Sequence, residues 1–284
     1  MTPKNVILGG TGFVGGNLCQ EFGVRKINYQ ALSSTDVDLL KLTAVNKLKK
    51  YLTRDSCLII TAAITRQKGD NLQTFADNLT IAQNIARCLQ IAPVKRCIFL
   101  STCDVYGIPE KLPITENTRI NPLTYYAVSK YASERILAKV AEENKISLTI
   151  LRFNGIFGPG QKNIQYGVNR FIRSILDRGI IELWGNGEEL RDFVYVKDLV
   201  RIIANFVEGN STSGVFNITS GSSITFYDLT NKIAKIVPNK FKLVYKKRTG
   251  PVFDQKFNNQ KLRHIFPSFQ FSDISASIRE TYET

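Results

Sequence analysis

Short apolar runs separated by amphipathic stretches set the rhythm of the first half of the chain. Residues 5–9 (NVILG), 57–63 (CLIITAA), 97–101 (CIFLS) and 147–153 (SLTILRF) are apolar runs of strand length, continuous rather than alternating. A strand buried on both faces reads this way, as in a parallel sheet with helices on either side. Between the runs, residues 13–22, 74–91 and 125–143 carry helical spacing. Strands alternating with helices predict βαβ units and a doubly wound parallel sheet, hence an α/β fold. After Gly158-Pro159-Gly160 the alternation weakens. A helical stretch at 166–179 leads to a turn at Gly185-Asn186-Gly187, and short strands and helices follow to a basic loop and a polar tail. The expected division is a first domain over 1–158, rejoined by about 191–218, and a smaller C-terminal α/β lobe from 159–190 and 219–284. No internal repeat or low-complexity segment interrupts this plan.

The first run ends in Gly9-Gly10-Thr11-Gly12-Phe13-Val14-Gly15. Glycines at 9, 12 and 15 allow a sharp turn, close approach to a pyrophosphate and tight packing of helix on strand. The helix that follows offers unpaired N–H groups to the phosphates. With a strand before it and a helix after it, this turn predicts dinucleotide binding. An NAD site usually places an acid about 20 residues on, at the end of the second strand, to hold the adenosine ribose. That neighbourhood reads Ala31-Leu32-Ser33-Ser34-Thr35, without an acid and without an arginine for a 2′-phosphate. Small hydroxyl residues suit a 2′-phosphate better than a carboxylate would, which tilts the choice slightly towards NADP. Asp38 reads either as an adenine contact or as a helix N-cap.

Tyr126-Ala127-Val128-Ser129-Lys130 sets a tyrosine and a lysine four residues apart, on one helical face. A phenol with a pKa of about 10 is a poor base at neutral pH. A nearby ammonium and a cationic nicotinamide ring both favour phenolate, so the pair can exchange a proton at a carbinol oxygen. Ser101-Thr102, at the end of CIFL, lies where a parallel strand delivers a hydroxyl to a cleft.

The order GGTGFVG, STCDVYG, YYAVSK resembles the extended short-chain dehydrogenase/reductase superfamily, in its NAD-dependent epimerase/dehydratase branch. The resemblance covers nearly the whole chain, continuing through Asn78, RFNGIFGPG at 152–160 and RDFVYVKDL at 191–199. It implies a Rossmann sheet and a catalytic set in which Tyr126 is the acid/base. Lys130 would lower its pKa and bind the nicotinamide ribose, and Thr102 would hold the reacting hydroxyl. Thr102 is chosen over Ser101 because the family's Ser/Thr stands four residues before the tyrosine of VYG, here Tyr106. The implied cofactor contacts are Gly9, Gly12, Phe13, Val14, Gly15, Ser33, Asp38, Leu39, Ala62, Ala63, Asn78, Tyr126 and Lys130. For a nucleotide-diphosphate sugar the branch implies Asn154, Arg191 and Arg248, the arginines offering bidentate bonds to phosphate or else forming salt bridges. A homodimer through the helices at 74–91 and 125–143 is implied too. Three positions depart from the branch pattern: Thr61 replaces a histidine, Gly155 an asparagine and Pro251 an acid.

Bulk properties narrow the setting. The net charge of +14 is spread along the chain apart from short clusters such as Lys246-Lys247-Arg248. That suits a solvated surface or attraction of a small polyanionic substrate, whereas nucleic-acid binding needs a concentrated basic face with stacking aromatics. The five cysteines, Cys19, Cys57, Cys88, Cys97 and Cys103, show no metal-ligand spacing and read as buried thiols. One histidine, His264, gives little basis for a zinc site or a histidine-dependent triad, and no metal is expected. The N-terminus has no signal-like segment and no apolar run reaches the roughly 18–20 residues of a membrane span, so a cytoplasmic protein is expected.

Three chemistries share such a scaffold. Epimerisation at the sugar C4 through a 4-keto intermediate is the first reading, with cofactor that stays bound. Reduction of a nucleotide-linked 4-keto-6-deoxy sugar is the alternative, since the short segment before Asp38 resembles compact reductases. Dehydration by the 4,6-route ranks lower, because the Asp-Glu pair it uses after the threonine is Cys103-Asp104 here. Asp104 then serves as a second acid/base, orients a substrate hydroxyl, or belongs to a hydrogen-bonded turn. A non-catalytic NAD(P)-binding regulator would have lost the Tyr–Lys pair, which is present.

Overall fold

In a computed structural model of the protein, the described residues are 4–161, 167–209, 212–250 and 252–284. The chain divides into two compact units. The first comprises residues 1–107, 120–152 and 200–216, and the second 108–119, 153–199 and 217–284. The segment expected to return at about 191–218 is thus shared, with Leu199 in the second unit and Val200 in the first.

The chain runs β1 (Asn5–Leu8), α1 (Phe13–Val24), β2 (Tyr29–Leu32), α2 (Ala44–Lys49), β3 (Cys57–Ile60) and α3 (Leu72–Ile91). It continues β4 (Arg96–Thr102), α4 (Tyr125–Glu143), β5 (Ser147–Phe153), β6 (Ile156–Phe157), α5 (Val168–Arg178) and β7 (Ile180–Trp184). Then come β8 (Leu190–Arg191), β9 (Val194–Tyr195), α6 (Val196–Glu208), β10 (Gly214–Ile218) and β11 (Ile224–Thr225). The last elements are α7 (Phe226–Ala234), β12 (Lys242–Lys246), α8 (Gln260–Ile265) and α9 (Ile274–Glu283).

One six-stranded sheet in the order β10-β5-β4-β3-β1-β2 forms the frame. Parallel registers pair Val6 with Gln30 and Leu58, and Leu58 with Cys97. β1 and β3 are buried along their whole length, which is why their sequences are unbroken apolar runs. The sheet order reverses between β1 and β3. A parallel sheet opens a ligand crevice beyond the carboxyl ends of its strands at such a switch. Val6, Leu8, Leu58, Ile60, Cys97 and Phe99 lead the core cluster, with Ile85 and Leu89 of α3 and Leu137 of α4 packed in.

Helix α4 is a product of local signals. Thr124 caps it by accepting the Ala127 N–H, and Ala127, Lys130, Glu134, Leu137 and Ala141 make its buried stripe. In the second unit β12 pairs in parallel with β7, and β8 pairs antiparallel with β11.

Of the cysteines, Cys57, Cys88, Cys97 and Cys103 are buried and unbridged, whereas Cys19, on the α1 face, is only half-buried. The expectation of burial fails for Cys19 because helical rotation turns it towards the edge of the packed stripe formed by Leu18 and Phe22.

Candidate active site

The glycine turn is built as its sequence predicts. Gly9 has φ of +86°, and a Cβ there would sit 2.8 Å from the Ala62 nitrogen. A Cβ on Gly15 would sit 2.1 Å from the Gly9 oxygen, so helix α1 can approach β1 this closely only without a side chain. Gly12 begins α1 with no side-chain cap and no acid in the first turn, and Phe13 and Val14 follow it half-buried. An uncapped helix start beside a glycine turn fits a dinucleotide pyrophosphate. Thr61, where the branch has histidine, ties this turn to β3 by donating to the Leu8 oxygen at 2.7 Å.

At the end of β2, Ser33 shares a hydrogen bond with the Thr35 hydroxyl and donates both its N–H (2.8 Å) and its own hydroxyl (2.7 Å) to Asp36 Oδ2. The two bonds to Asp36 hold its carboxyl below the usual pKa. Asp36, one position beyond the 31–35 window, thus brings a carboxylate to the end of β2. The Ser-x-x-Asp spacing was the signal for it. Asp38 is not a helix N-cap: its Oδ1 accepts the Leu40 N–H in a local turn, and α2 starts later, after Thr43. Leu39, expected at the cofactor, has its side chain in the core and its carbonyl bonded by Asn84.

The segment after β3 carries Ala62 and Ala63, both partly exposed. Asn78 clamps this segment. Its Oδ1 accepts the Ile64 N–H and its Nδ2 donates to the Ile64 oxygen, both at 2.9 Å. Both ends of the amide are engaged on one residue's backbone, so Asn78 shapes the loop from α3.

Alternation along β4 separates its two terminal hydroxyls. Ser101 Oγ donates to Glu134 Oε1 at 2.5 Å in the interior. Thr102 is also buried, but its Oγ1 accepts the Asp104 N–H at 3.1 Å and keeps its own proton to donate. Residues Cys103–Tyr106 form a 3-10 turn, closed by the Gly107 N–H on the Asp104 oxygen. Cys103 points inward and donates to the Arg152 oxygen. The Asp104 carboxylate pairs with Arg66 Nη1 at 3.8 Å.

Tyr126 lies half-buried in the first turn of α4, its N–H donated to Asp70 Oδ1 at 2.9 Å. Burial first, and the Asp104 carboxylate second, push its phenol above the usual range, while Arg66 opposes them. Lys130, one turn on, is buried with Nζ donating to the Leu100 oxygen at 2.5 Å and lying 4.0 Å from the centre of the Phe99 ring. Burial lowers its pKa to about 7, with the Glu134 charge working the other way. Thr102, Asp104, Tyr126 and Lys130 are thus assembled in one unit, with Arg66 and Asp70 added from a loop whose sequence (TRQKGD) carried no motif.

The second unit holds the remaining expected residues. Arg191 and Arg248 converge on Glu189, at 3.3 Å and 2.6 Å, with each guanidinium mostly buried. Arg191 also donates to the Phe253 oxygen, and Arg248 to the Trp184 oxygen at 3.0 Å. Among the described residues, Arg248 Nε is buried and meets no acceptor. Asn154 is buried, and its Nδ2 donates to the Asp192 oxygen and Gln255 Oε1, so its amide braces the unit rather than facing outward. Gly155 has φ of +51° and a Cβ there would lie 2.6 Å from the Asp192 oxygen, which explains why no asparagine occupies it. Pro251 lies outside the described residues.

A putative UDP-glucose 4-epimerase of Methanocaldococcus jannaschii is 30% identical over 174 residues, covering 60% of this chain and 56% of that protein. A GDP-6-deoxy-D-talose 4-dehydrogenase of Aggregatibacter actinomycetemcomitans is 24% identical over 290 residues, covering 99% of this chain and 97% of the relative. The solved structure of a Thermus thermophilus UDP-glucose 4-epimerase with NAD matches with a TM-score of 0.86 and 21% identity, over 98% and 97% of the two chains. That last likeness is one of fold. The model of the NAD dependent epimerase/dehydratase family matches residues 5–219, from β1 through β10, and takes in the glycine turn, Thr102, Tyr126 and Lys130. The chain belongs to the NAD dependent epimerase/dehydratase family.

Proposed function

We propose that this protein is an NAD-dependent nucleotide-sugar 4-epimerase. The observation that supports the reading most is that Thr102 ends β4, Lys130 reaches β4 at the Leu100 oxygen, and Tyr126 stands one turn before Lys130 on α4, all in the unit that carries the glycine turn. Tyr126 as phenolate takes the proton of the sugar 4-hydroxyl, and Thr102 donates a hydrogen bond to the same oxygen. When bound at the glycine turn, NAD would supply the hydride acceptor and donor at C4, and inversion would require the 4-keto sugar to present its opposite face before the hydride goes back. Tyr126 then gives its proton back to the 4-oxygen, so the residues end as they began. Lys130, a buried cation near neutrality, favours the phenolate and offers donors to a ribose. Asp36 supports NAD over NADP, because its carboxylate would repel a 2′-phosphate. Inward-facing Cys103 leaves Asp104 without a paired acid, which speaks against dehydration. Arg191 and Arg248 suit the substrate diphosphate, a phosphate oxygen completing the orphaned Arg248 Nε. A homodimer through α3 and α4 belongs to the same reading, and exposed Leu72, Ile91, Tyr125 and Val128 lie along or at the ends of those helices.

Net reduction of a 4-keto sugar remains the second reading, supported by the nearly full-length similarity to a 4-dehydrogenase. Mass spectrometry of nucleotide released from the purified protein separates the two. Retained NAD, with proton NMR detection of the 4-epimer from UDP-glucose or another nucleotide hexose, is expected. Absence of bound nucleotide together with NADPH-dependent net reduction would replace epimerase by reductase. Tyr126→Phe should lower turnover by about 10²–10⁴-fold with little change in NAD affinity. Undiminished turnover would remove Tyr126 from the chemistry.

A further inference from the structure

We propose that Arg66 is a positioning residue for the acid–base step: its guanidinium holds the Asp104 carboxylate and screens that charge from the Tyr126 hydroxyl. The inference rests on the reading of Tyr126 as the acid/base. The loop bearing Arg66 is pinned on both sides. Asn78 clamps Ile64 through two hydrogen bonds, and Asp70 accepts the Tyr126 N–H at 2.9 Å. Between those anchors the chain makes one 3-10 turn, Arg66–Lys68. The turn brings Arg66 Nη1 to 3.8 Å from Asp104 Oδ2. Asp104 is fixed in its turn by the Thr102 hydroxyl, which accepts its N–H. The same hydroxyl that would hold the substrate oxygen therefore also sets a carboxylate beside the site.

A carboxylate near a phenol opposes phenolate formation, since the two charges repel. Among the described residues, Asp104 and Arg66 act on the Tyr126 hydroxyl, and Asp70 and Lys130 are the other ionisable groups on the elements around it. Asp104 comes from the turn after β4, Arg66 and Asp70 from the loop after β3, and Lys130 from its own helix. Asp70 binds the backbone N–H, and Lys130 is turned onto the Leu100 oxygen and the Phe99 ring. Asp104 raises the Tyr126 pKa and Arg66 lowers it, so these two are an opposed pair. Arg66 lets the site keep Asp104 for a substrate hydroxyl without trapping Tyr126 in its protonated form. Loss of one charge at several ångströms in a partly buried site shifts a pKa by about one unit.

The test is a 13C NMR titration of full-length protein carrying [13Cζ]tyrosine and saturated with NAD⁺, with the Tyr126 resonance identified by its loss in Tyr126→Phe. Arg66→Gln should raise the Tyr126 midpoint by about one pH unit, and Arg66→Lys should stay near wild type. Asp104→Asn should lower it, and Arg66→Gln combined with Asp104→Asn, which removes both opposed charges, should bring the midpoint back towards wild type. An Arg66→Gln midpoint equal to wild type overturns the proposal, as does a wild-type Tyr126 that stays protonated to about pH 11 with NAD⁺ bound. An arginine that only anchors the loop would lower the unfolding temperature equally with and without Asp104 and leave the midpoints in place. Full activity in Tyr126→Phe would instead strike the underlying reading, and the titration reports independently of it.

Discussion

Below the site, Glu134 of α4 and Arg152 of β5 form a buried ion pair whose removal tests how the hydroxyl end of β4 is held. Arg152 Nε and Nη2 donate to the two carboxylate oxygens at 2.9 and 2.6 Å, with side-chain exposures of 5% and 3%. Ser101 donates to the same carboxylate, and Arg152 Nη1 donates to the Tyr106 hydroxyl at 3.0 Å. The pair thus ties β4, β5, α4 and the turn after Thr102 into one network. Glu134→Gln keeps the shape and an acceptor for Ser101 but leaves the guanidinium buried without a counter-charge. Breaking such a pair from one side costs about 3–5 kcal/mol. Removing both charges, as Glu134→Gln with Arg152→Met, should recover part of that loss, giving a coupling of about 2–3 kcal/mol. Equilibrium urea unfolding followed by far-UV circular dichroism, on wild type, both single variants and the double, supplies the cycle. A Glu134→Gln loss below about 1 kcal/mol, or additive single effects, would refute the network as described. Glu134 is also the charge that favours the Lys130 ammonium, so the same variant should lower the Lys130 pKa further.

Two other perturbations address the cofactor side. Burial brings Lys130 to about 7, against about 10.4 in an unfolded chain. Between those values the unfolded chain holds a proton that the folded one lacks, so this residue makes stability rise with pH, by at most about 1.4 kcal/mol per unit. Below about pH 7 both forms are protonated and the desolvation penalty is complete. The stability of wild type relative to Lys130→Met should therefore climb between about pH 7 and about pH 10 in urea unfolding, and a flat difference would contradict the assignment. Gly15→Ala would set a Cβ 2.1 Å from the Gly9 oxygen, backbone against side chain, and should destabilise the fold by about 1–3 kcal/mol. Calorimetry should show NAD affinity falling at least about tenfold with it, as the helix start shifts by a fraction of an ångström; unchanged affinity would detach the turn from the cofactor.

Much of this protein is legible in one dimension because its information is local. The unbroken apolar runs mark β1 and β3 as strands buried on both faces, the Gly9–Gly15 spacing marks a strand–turn–helix, and Tyr126 and Lys130 share a face through helical periodicity alone. Side-chain direction at strand ends and loop-borne charge were decided in three dimensions. Adjacent Ser101 and Thr102 are chemically alike in sequence, and the pleat sends one to Glu134 and leaves the other at the turn. Asp36 lies outside the window that spacing rules inspect, and a turn carries its carboxylate back to Ser33. Asn78 and Leu39, motif positions both, turn to the loop backbone and to the core because buried polar groups and apolar side chains find partners wherever packing places them. Arg66 meets Asp104, far along the chain, only because Asn78 and Asp70 pin the loop between them. The Tyr126–Lys130 pair on one face of α4 could be read from the chain by itself, while the charges that surround its tyrosine belong to the tertiary structure, since Coulomb interactions depend on distance in space and not along the sequence.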